Sequence, residues 1–452
     1  MTASMALVLL SVVSFTAVAG LVMGATESGV AAAATLREFK RALFDVDGRL
    51  SSWDGEGGSD DPCGWTGIAC SAALEVTAVT LHGLNIHGEL SAAVCKLPRL
   101  AVLDVSMNAL SGPIPAGLAA CHALEVLDLS TNSFQGAIPP ELCSLLSLRH
   151  LLLMENLLFG KIPAAIGNLT VLEELEIYNN NLTGEIPTSI RALQRLRRIL
   201  VGHNNLSGRI PAEISECASL AVLGLAHNKF TGPLPRELSR LKKLTKLILS
   251  RNALSGNIPP ELGNCTNLEM LALNDNTFTG SVPKELGALS SLANLYIYRN
   301  RLDGTIPMEL SNLQSAVEID LSENNLSSVI PGELANITML QLLHLFGNRL
   351  QGSIPRELGQ LSVMRNIDLS FNNLTGNIPM EFQNLTYLEH FQLVDNKIHG
   401  VIPPVLGARG HLSVLDLSYN RLKGSIPLHL CKCHKLQYLD LRLNQLTGLP
   451  PC

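Results

Sequence analysis

The chain has 452 residues, 46% hydrophobic and 16% charged, with a formal net charge of −6. This mild acidity excludes a nucleic acid held on a basic surface, and the length alone would suggest roughly two or three domains. Aromatic residues make up only 4% of the chain, so Leu and Ile must fill the core.

From Met5 to Met23 the N-terminus is almost wholly apolar or small. Residues 1–25 are therefore expected to be a secretory signal, with small residues at Gly24-Ala25 as the cleavage point. The n-region has no Lys or Arg, which keeps an uncleaved anchor as the competing reading. No later run reaches the roughly 18 apolar residues that a membrane helix needs. Ala31 to Phe44 is expected to be an amphipathic helix with Leu36, Phe39, Leu43 and Phe44 on one face. Asp45 to Asp61 reads as a loop around Trp53, followed by CGWTGIAC with Cys63, Trp65, Gly67 and Cys70. In a secreted chain a Cys63–Cys70 disulfide is expected, closing a short loop against Trp65.

From residue 77 to the end one pattern rules. Asn108 returns as Asn132, Asn156, Asn180 and so on to Asn444, fifteen asparagines spaced 24 residues apart without a slip. Leu84 holds the place one turn earlier, giving about sixteen rungs of 24 residues. Such a repeat decides the architecture before any local propensity is weighed. The apolar residues five and three before each Asn, such as Leu127 and Leu129, have the period of a short strand and point inward. The Asn can satisfy backbone groups where the strand turns away, and stacked asparagines can form a ladder. The apolar residue two after it (Leu110, Phe134, Leu158, Leu182) re-enters the core. Gly112, Gly136 and Gly160 permit a turn, and Ile114-Pro115 or Ile138-Pro139 ends an extended segment. A single rung cannot bury its own apolar edge, so neighbours must stack.

The LxGxIP half of the rung resembles the plant-specific class of leucine-rich repeats. The resemblance implies an α/β repeat solenoid: a right-handed superhelix with a concave parallel sheet, a second short strand on the flank and 3₁₀ turns behind. Residues 26–76, with the helix, SSWD and the Cys-Trp-Cys box, resemble the N-terminal cap of plant leucine-rich-repeat receptors. Such a cap hides the open edge of the first rung, and 77–452 is then the solenoid.

Several positions depart from the pattern. Ser328 stands where other rungs have Gly, so its backbone is expected at φ < 0 or under strain. Arg409 occupies an otherwise apolar position, and the back of its rung is expected to splay. Cys121, Cys217, Cys265 and Cys433 sit eleven before a ladder Asn, where other rungs have Leu or Ile, and read as small buried hydrophobes. Cys95, Cys143 and Cys431 lie two residues further back, and Cys452 ends the sequence. CKCH at Cys431 to His434 is a weak metal signal, and ordinary repeat positions explain two of its members. No metal or other cofactor is expected. The last rung runs LTGLPPC with no capping segment, which suggests a fragment, a truncated product or a protein completed by association.

Eight N-x-[ST] sequons occur, at Asn168, Asn181, Asn205, Asn264, Asn325, Asn336, Asn373 and Asn384. All are expected on turns outside the sheet, leaving the concave face bare. Its outward positions are taken as one, two, four and six before the Asn, plus one after. Five of the six tyrosines fall there: Tyr178, Tyr296, Tyr298, Tyr419 and Tyr438. The densest patch joins Tyr296, Tyr298, Arg299 and Arg301 to His344, Phe346 and Arg349 two rungs on, and to Lys246 and Arg251 two rungs earlier. Aromatics among guanidinium groups suit a peptide or protein hot spot. The recurring Asp four before the Asn (Asp104, Asp128, Asp320, Asp368, Asp416, Asp440) reads as solubility and edge protection.

The sequence contains no phosphate-binding Gly loop, kinase signature or HExxH, so no catalytic residue is assigned. With cap, repeat type and rung count together, the chain resembles the ectodomain of a plant leucine-rich-repeat receptor-like kinase, closest to the large peptide-perceiving group. That resemblance implies a secreted peptide or protein ligand and a short leucine-rich-repeat co-receptor ectodomain as partners. It implies an extracellular or apoplastic place, or the plasma membrane through a C-terminal segment beyond Cys452. Some members hold a peptide carboxylate with an Arg-x-Arg pair six and four before the Asn. No rung here has it: Arg198 is followed by Leu200, and Arg299-Asn300-Arg301 is placed differently. The competing functional reading is a secreted inhibitor of wall-degrading enzymes resembling the polygalacturonase-inhibiting proteins, which have about ten rungs and a closing cap. A non-functional fragment is the third reading.

Overall fold

The computed structural model describes residues 27–54, 61–408, 410–431 and 433–447. The expected signal, the reading of Arg409 and the end of the last rung lie outside the described residues.

Each rung contributes a three-residue strand to the inner sheet, as at Val102–Asp104, Val126–Asp128 and His150–Leu152. Each strand residue pairs with the residue 24 further on, so Leu103 faces Leu127 and Leu127 faces Leu151. Sixteen parallel strands follow in chain order from Val76–Thr80 to Tyr438–Asp440, with Ile68–Cys70 added antiparallel at the front. The pairings run from neighbour to neighbour and none joins Ile68–Cys70 to Tyr438–Asp440, so the sheet is an open ribbon. A second sheet runs along the flank. Ten of its strands are continuous, from Leu43–Asp45 to Thr277–Thr279. It shrinks to one isolated bridge, Ser281 to Asp303, and resumes as two three-stranded pieces. Behind both sheets most rungs close with a 3₁₀ turn entered from proline, as at Pro140–Ser144 after Pro139, while the first, Ala92–Lys96, is entered from Ser91.

Two apolar periods feed one core. In the rung closed by Asn252, Leu238, Leu241, Leu244, Leu247, Leu249, Leu254 and Ile258 are all essentially fully buried. At about 1.5–3 kcal/mol for each such side chain, stacking supplies what an isolated rung lacks.

The asparagines are the second device, and they work differently from a side-chain ladder. The Asn132 Oδ1 accepts from Leu110 N–H of the preceding rung at 3.0 Å. Its Nδ2 donates to Val105 O of that rung and to Leu129 O and Ser130 O of its own. The same set recurs down to Asn444, which serves Leu422 N–H, Leu417 O, Leu441 O and Arg442 O. Each amide thus clamps its turn to the backbone of the rung before, not to another Asn. The clamp explains a feature that composition hides: the residue before each ladder Asn is left-handed. Fourteen are non-glycine with φ of 50–57°, from Met107 to Leu443, and Gly347 takes the remaining place. A left-handed non-glycine residue costs roughly 1–2 kcal/mol, and several fixed hydrogen bonds hold it there.

At the N-terminal end the helix spans Glu27–Lys40, not Ala31 to Phe44. The chain then forms the strand Leu43–Asp45, antiparallel to Ile86–Glu89. Strand alternation buries Leu43 and turns Phe44 out, 68% exposed, so these two do not share a face with Leu36 and Phe39. Trp53 stacks on Trp65 at 6.0 Å, the Trp53 indole N–H donates to Thr66 O, and a Cys63–Cys70 disulfide closes the loop beside them.

Other expectations need correction. Cys121 is not a plain buried thiol: it forms a disulfide with Cys95, tying two successive back turns. Cys431 is also disulfide-bonded and so is no repeat-filling or metal-binding thiol. Cys143, Cys217, Cys265 and Cys433 are buried and free. Ser328 has φ of +72°, so it takes the strained alternative. The Asp four before the Asn is a local brace. Asp104 Oδ1 accepts from both Ser106 N–H and Ser106 hydroxyl, and Asp128, Asp320 and Asp416 do the same with Ser130, Ser322 and Ser418. The sequons also divide. Asn168, Asn264, Asn336 and Asn384 end back turns, but Asn181, Asn205 and Asn373 open strands of the second sheet. Asn325 stands just before Ser327–Ser328 in the same column.

Candidate functional site on the inner sheet

The outward columns of the inner sheet lie six, four and two before each ladder Asn, and the left-handed residue forms a shoulder beside them. The position after the Asn is different, because it opens the second sheet. Arg349 begins the strand Arg349–Ser353, and Arg301 hydrogen-bonds through its backbone to Phe278. These two guanidinium groups therefore belong to the flank, and Arg349 donates to Asn325 Oδ1 at 3.1 Å. The column two before the Asn is closed where Ser follows a bracing Asp, since Ser106, Ser322 and Ser370 are buried, whereas Ser250 is half-buried. It opens where it holds Tyr178, Tyr298 or Phe346, each half-buried.

Around Tyr296 the side chains are already engaged. The phenol donates to Glu318 Oε2 and accepts from Asn294 Nδ2 at 3.1 Å. Burial, and then Glu318, hold this phenol above the usual tyrosine range. Tyr298 is shifted the same way by burial and by Asp275, and Tyr178 by burial and Glu176. All three rings present neutral hydroxyls. The shoulder carries a chain of alternating charge: Arg251 to Asp275 at 3.7 Å, Asp275 to Arg299 at 3.6 Å, Arg299 to Glu323 at 3.0 Å. Arg251 and Arg299 are thus paired along the ribbon. Lys246 and Arg301 are exposed, and no described acidic group pairs with either side chain. His344 Nδ1 lies 3.4 Å from Asp320, and its ring meets Phe346 edge-on at 5.9 Å.

Three features were missed by reading single rungs. His203 and His227 stack face to face at 3.8 Å on the shoulder. Arg198 reaches Glu176 of the preceding rung at 2.9 Å. Arg149, Glu173 and Arg197 pair along the sheet's outer edge. The ion pairs are visible when the sequence is written in lines of 24 residues and opposite charges are sought in adjacent lines, and the histidine stack is visible there as two rings in one column. The expected patch is therefore paired charges from the rung of Asn252 to that of Asn324 with the tyrosines at Asn300, and a later group of His344 with Phe346 that Asp320 joins to it. Tyr178 lies five rungs before Tyr298.

Comparison with known proteins follows the same lines. The leucine-rich repeat region family matches residues 105–257, the leucine-rich repeat N-terminal domain family 32–71, and the leucine-rich repeat family 315–337, 339–361, 364–385 and 411–433. A crystal structure of the Arabidopsis receptor kinase HAESA ectodomain, in complex with an N-terminally extended IDA peptide hormone, superposes with a TM-score of 0.82 at 33% identity. That match covers 94% of this chain and 71% of the other. A second HAESA structure, with IDA and the co-receptor SERK1, gives a TM-score of 0.63 at 28% identity over 93% and 91% of the two chains. Among curated relatives, a leucine-rich repeat receptor-like serine/threonine-protein kinase of Arabidopsis thaliana is 51% identical over 88 residues. That stretch is 20% of this chain and only 8% of the relative.

Proposed function

The chain belongs to the plant leucine-rich-repeat receptor-kinase ectodomains, and from that premise we propose that it is an extracellular recognition module whose inner sheet seats a secreted peptide. One observation carries the reading. Over fifteen successive ladder rungs the inner face has no other segment of the described chain laid across it, while half-buried tyrosines stand outward on it. Rings of this kind, fixed by neighbours before any ligand arrives, give contact area at little entropic cost. The HAESA complexes support a peptide as ligand and a short co-receptor ectodomain as the second partner. The module then acts outside the cell or at its surface, and catalysis belongs to kinase regions brought together by that association. None of the described helices is long and apolar enough to cross a membrane.

The test is capture of ligand from a fraction of secreted plant peptides by the purified, secreted chain. Tyr298→Ala combined with Arg299→Ala should abolish capture without loss of secretion. Unchanged capture by this variant removes the tyrosine rungs from the site.

A further inference from the structure

The column four before the ladder Asn is polar, aromatic or charged on most rungs. It holds Asp104, Asp128 and Glu176 early, and Tyr296, Asp320, His344, Asp368, Gln392, Asp416 and Asp440 later. On four consecutive rungs between them it is apolar: Leu200, Gly224, Ile248, Ala272. Leu152 is the other apolar member, and it stands alone. On the first two of these rungs the neighbouring column falls to Gly202 and Ala226, and on the last two it holds Ser250 and the buried Asn274, whose amide donates to Asp275. The Leu200 side chain leans over Gly224, where an added Cβ would meet its Cδ2 at 2.7 Å. The result is a low apolar floor. Tyr178 and the Arg198–Glu176 pair stand at one end, and Tyr296 and Tyr298 at the other. On one side the stacked His203 and His227 rings form a flat wall. On the other, Lys246 stands exposed, with no described carboxylate to neutralise it.

We propose that these four rungs are the seat of one extended, acidic-apolar peptide segment, a narrower statement that rests on the inner-face reading above. From the rung of Tyr178 to that of Tyr298 are five strand spacings, about 24 Å, which an extended chain of about seven residues spans. Alternate side chains of such a segment point to one face. The column of Leu200, Gly224, Ile248 and Ala272 offers them no side-chain polar group, so polar residues set on that column would be desolvated without a partner there, the nearest hydroxyl being that of Ser250 beside it. The seat therefore selects apolar residues at every second position, and Lys246 selects a carboxylate on the side that faces it.

The molecule supplies its own blocking variant. Gly224→Asp with Ala226→Ser writes into this rung the Asp-Leu-Ser brace that Asp104 and Ser106 form elsewhere. The added Cβ meets only the flexible tip of Leu200, so the fold should be kept, with a melting temperature within a few degrees of the parent. The probes are two immobilised libraries of seven-residue synthetic peptides, apolar at alternate positions, one with a single Asp and one with a single Lys. The parent chain should retain the Asp library at least about tenfold better than the Lys library. Lys246→Glu should reverse that preference. The double variant should lose capture of both by about tenfold or more, and the remote His390→Ala should behave like the parent. Retention by a folded double variant overturns the seat. If retention then disappears with Tyr298→Ala, the inner-face reading stands without it. Failure of the parent chain to retain either library also overturns the seat, whereas capture from the secreted fraction would still sustain the inner-face reading.

Discussion

The rung closed by Asn228 and the rung closed by Asn372 are built on the same inward columns and differ on the surface. Leu220, Leu223, Leu225 and Phe230 in the first correspond to Met364, Ile367, Leu369 and Leu374 in the second, and all eight are fully buried. Both asparagines make the same four bonds. On the inner face, Gly224 and Ala226 stand where the other rung has Asp368 accepting from Ser370 N–H at 2.9 Å. Stability lies in the inward columns and the amide clamp. The outward columns are free to take a brace, an aromatic or nothing, so recognition can change without disturbing the fold.

The comparison breaks most readily at the clamp. Asn228→Ala and Asn372→Ala each remove four hydrogen bonds and strand one N–H, that of Leu206 or Leu350, while the three carbonyls keep a second donor, and each should cost roughly 3–5 kcal/mol. Urea unfolding should give the two variants costs within about 1 kcal/mol of each other. A large gap would mean that the outward residues share in holding the turn. Next in size is Cys95→Ala with Cys121→Ala. Their sequence separation of 26 predicts a loss of about 3 kcal/mol. In a chain of nearest-neighbour contacts that loss should stay local. Amide exchange should rise around Ala92–Lys96 and Ala116–Ala120 and remain unchanged from Asn204 onward.

A third test uses pH at the later group. Burial by itself would lower the His344 pKa, but Asp320, with Asn366 and Asp368, outweighs it and holds the group above the ordinary histidine value. A raised folded-state pKa adds stability that is complete below the unfolded value, about 6.5. That stability is lost as pH rises through the folded value. Resistance to urea should therefore decline above about pH 6.5, and His344→Gln should flatten that slope. The burial of Cys143 and Cys217 pushes their thiols up to about 11 and about 12, so neither should react with alkylating agents at neutral pH unless its rung opens. The smallest expected effect is Ser328→Gly. Relief of a left-handed serine, less the extra freedom glycine gives the unfolded chain, should stabilise by about 0.5 kcal/mol. A loss of stability there would show that the Ser328 side chain contributes to its turn.

Much of the fold was legible because the repeat is strict. The register of Asn108 to Asn444, the inward Leu pairs and the glycine turns follow from spacing alone, since side chains 24 residues apart must stack once each rung closes. The candidate site was less legible. Tyr296, Tyr298 and Lys246 could be placed on outward positions, but not the carboxylates that would meet their neighbours. Arg251 and Arg299 looked free in sequence, yet Asp275 and Glu323 sit one rung away and pair with them. The helix boundary at Lys40 was misread because Leu43 and Phe44 are apolar in either a helix or a strand, and only pairing with Ile86–Glu89 decides between them.

By itself the sequence determined the period, the buried columns and the open inner face, because a chain that repeats its apolar residues so regularly has one way to cover them. Tertiary structure alone decided three things. It set the left-handed shoulder before each Asn, which exists only because the amide reaches back to the preceding rung. It formed the Cys95–Cys121 bridge, which needs two back turns side by side. It chose which inner-face charges are neutralised, because an ion pair depends on the few ångströms between rungs, a distance that the linear order of residues does not contain.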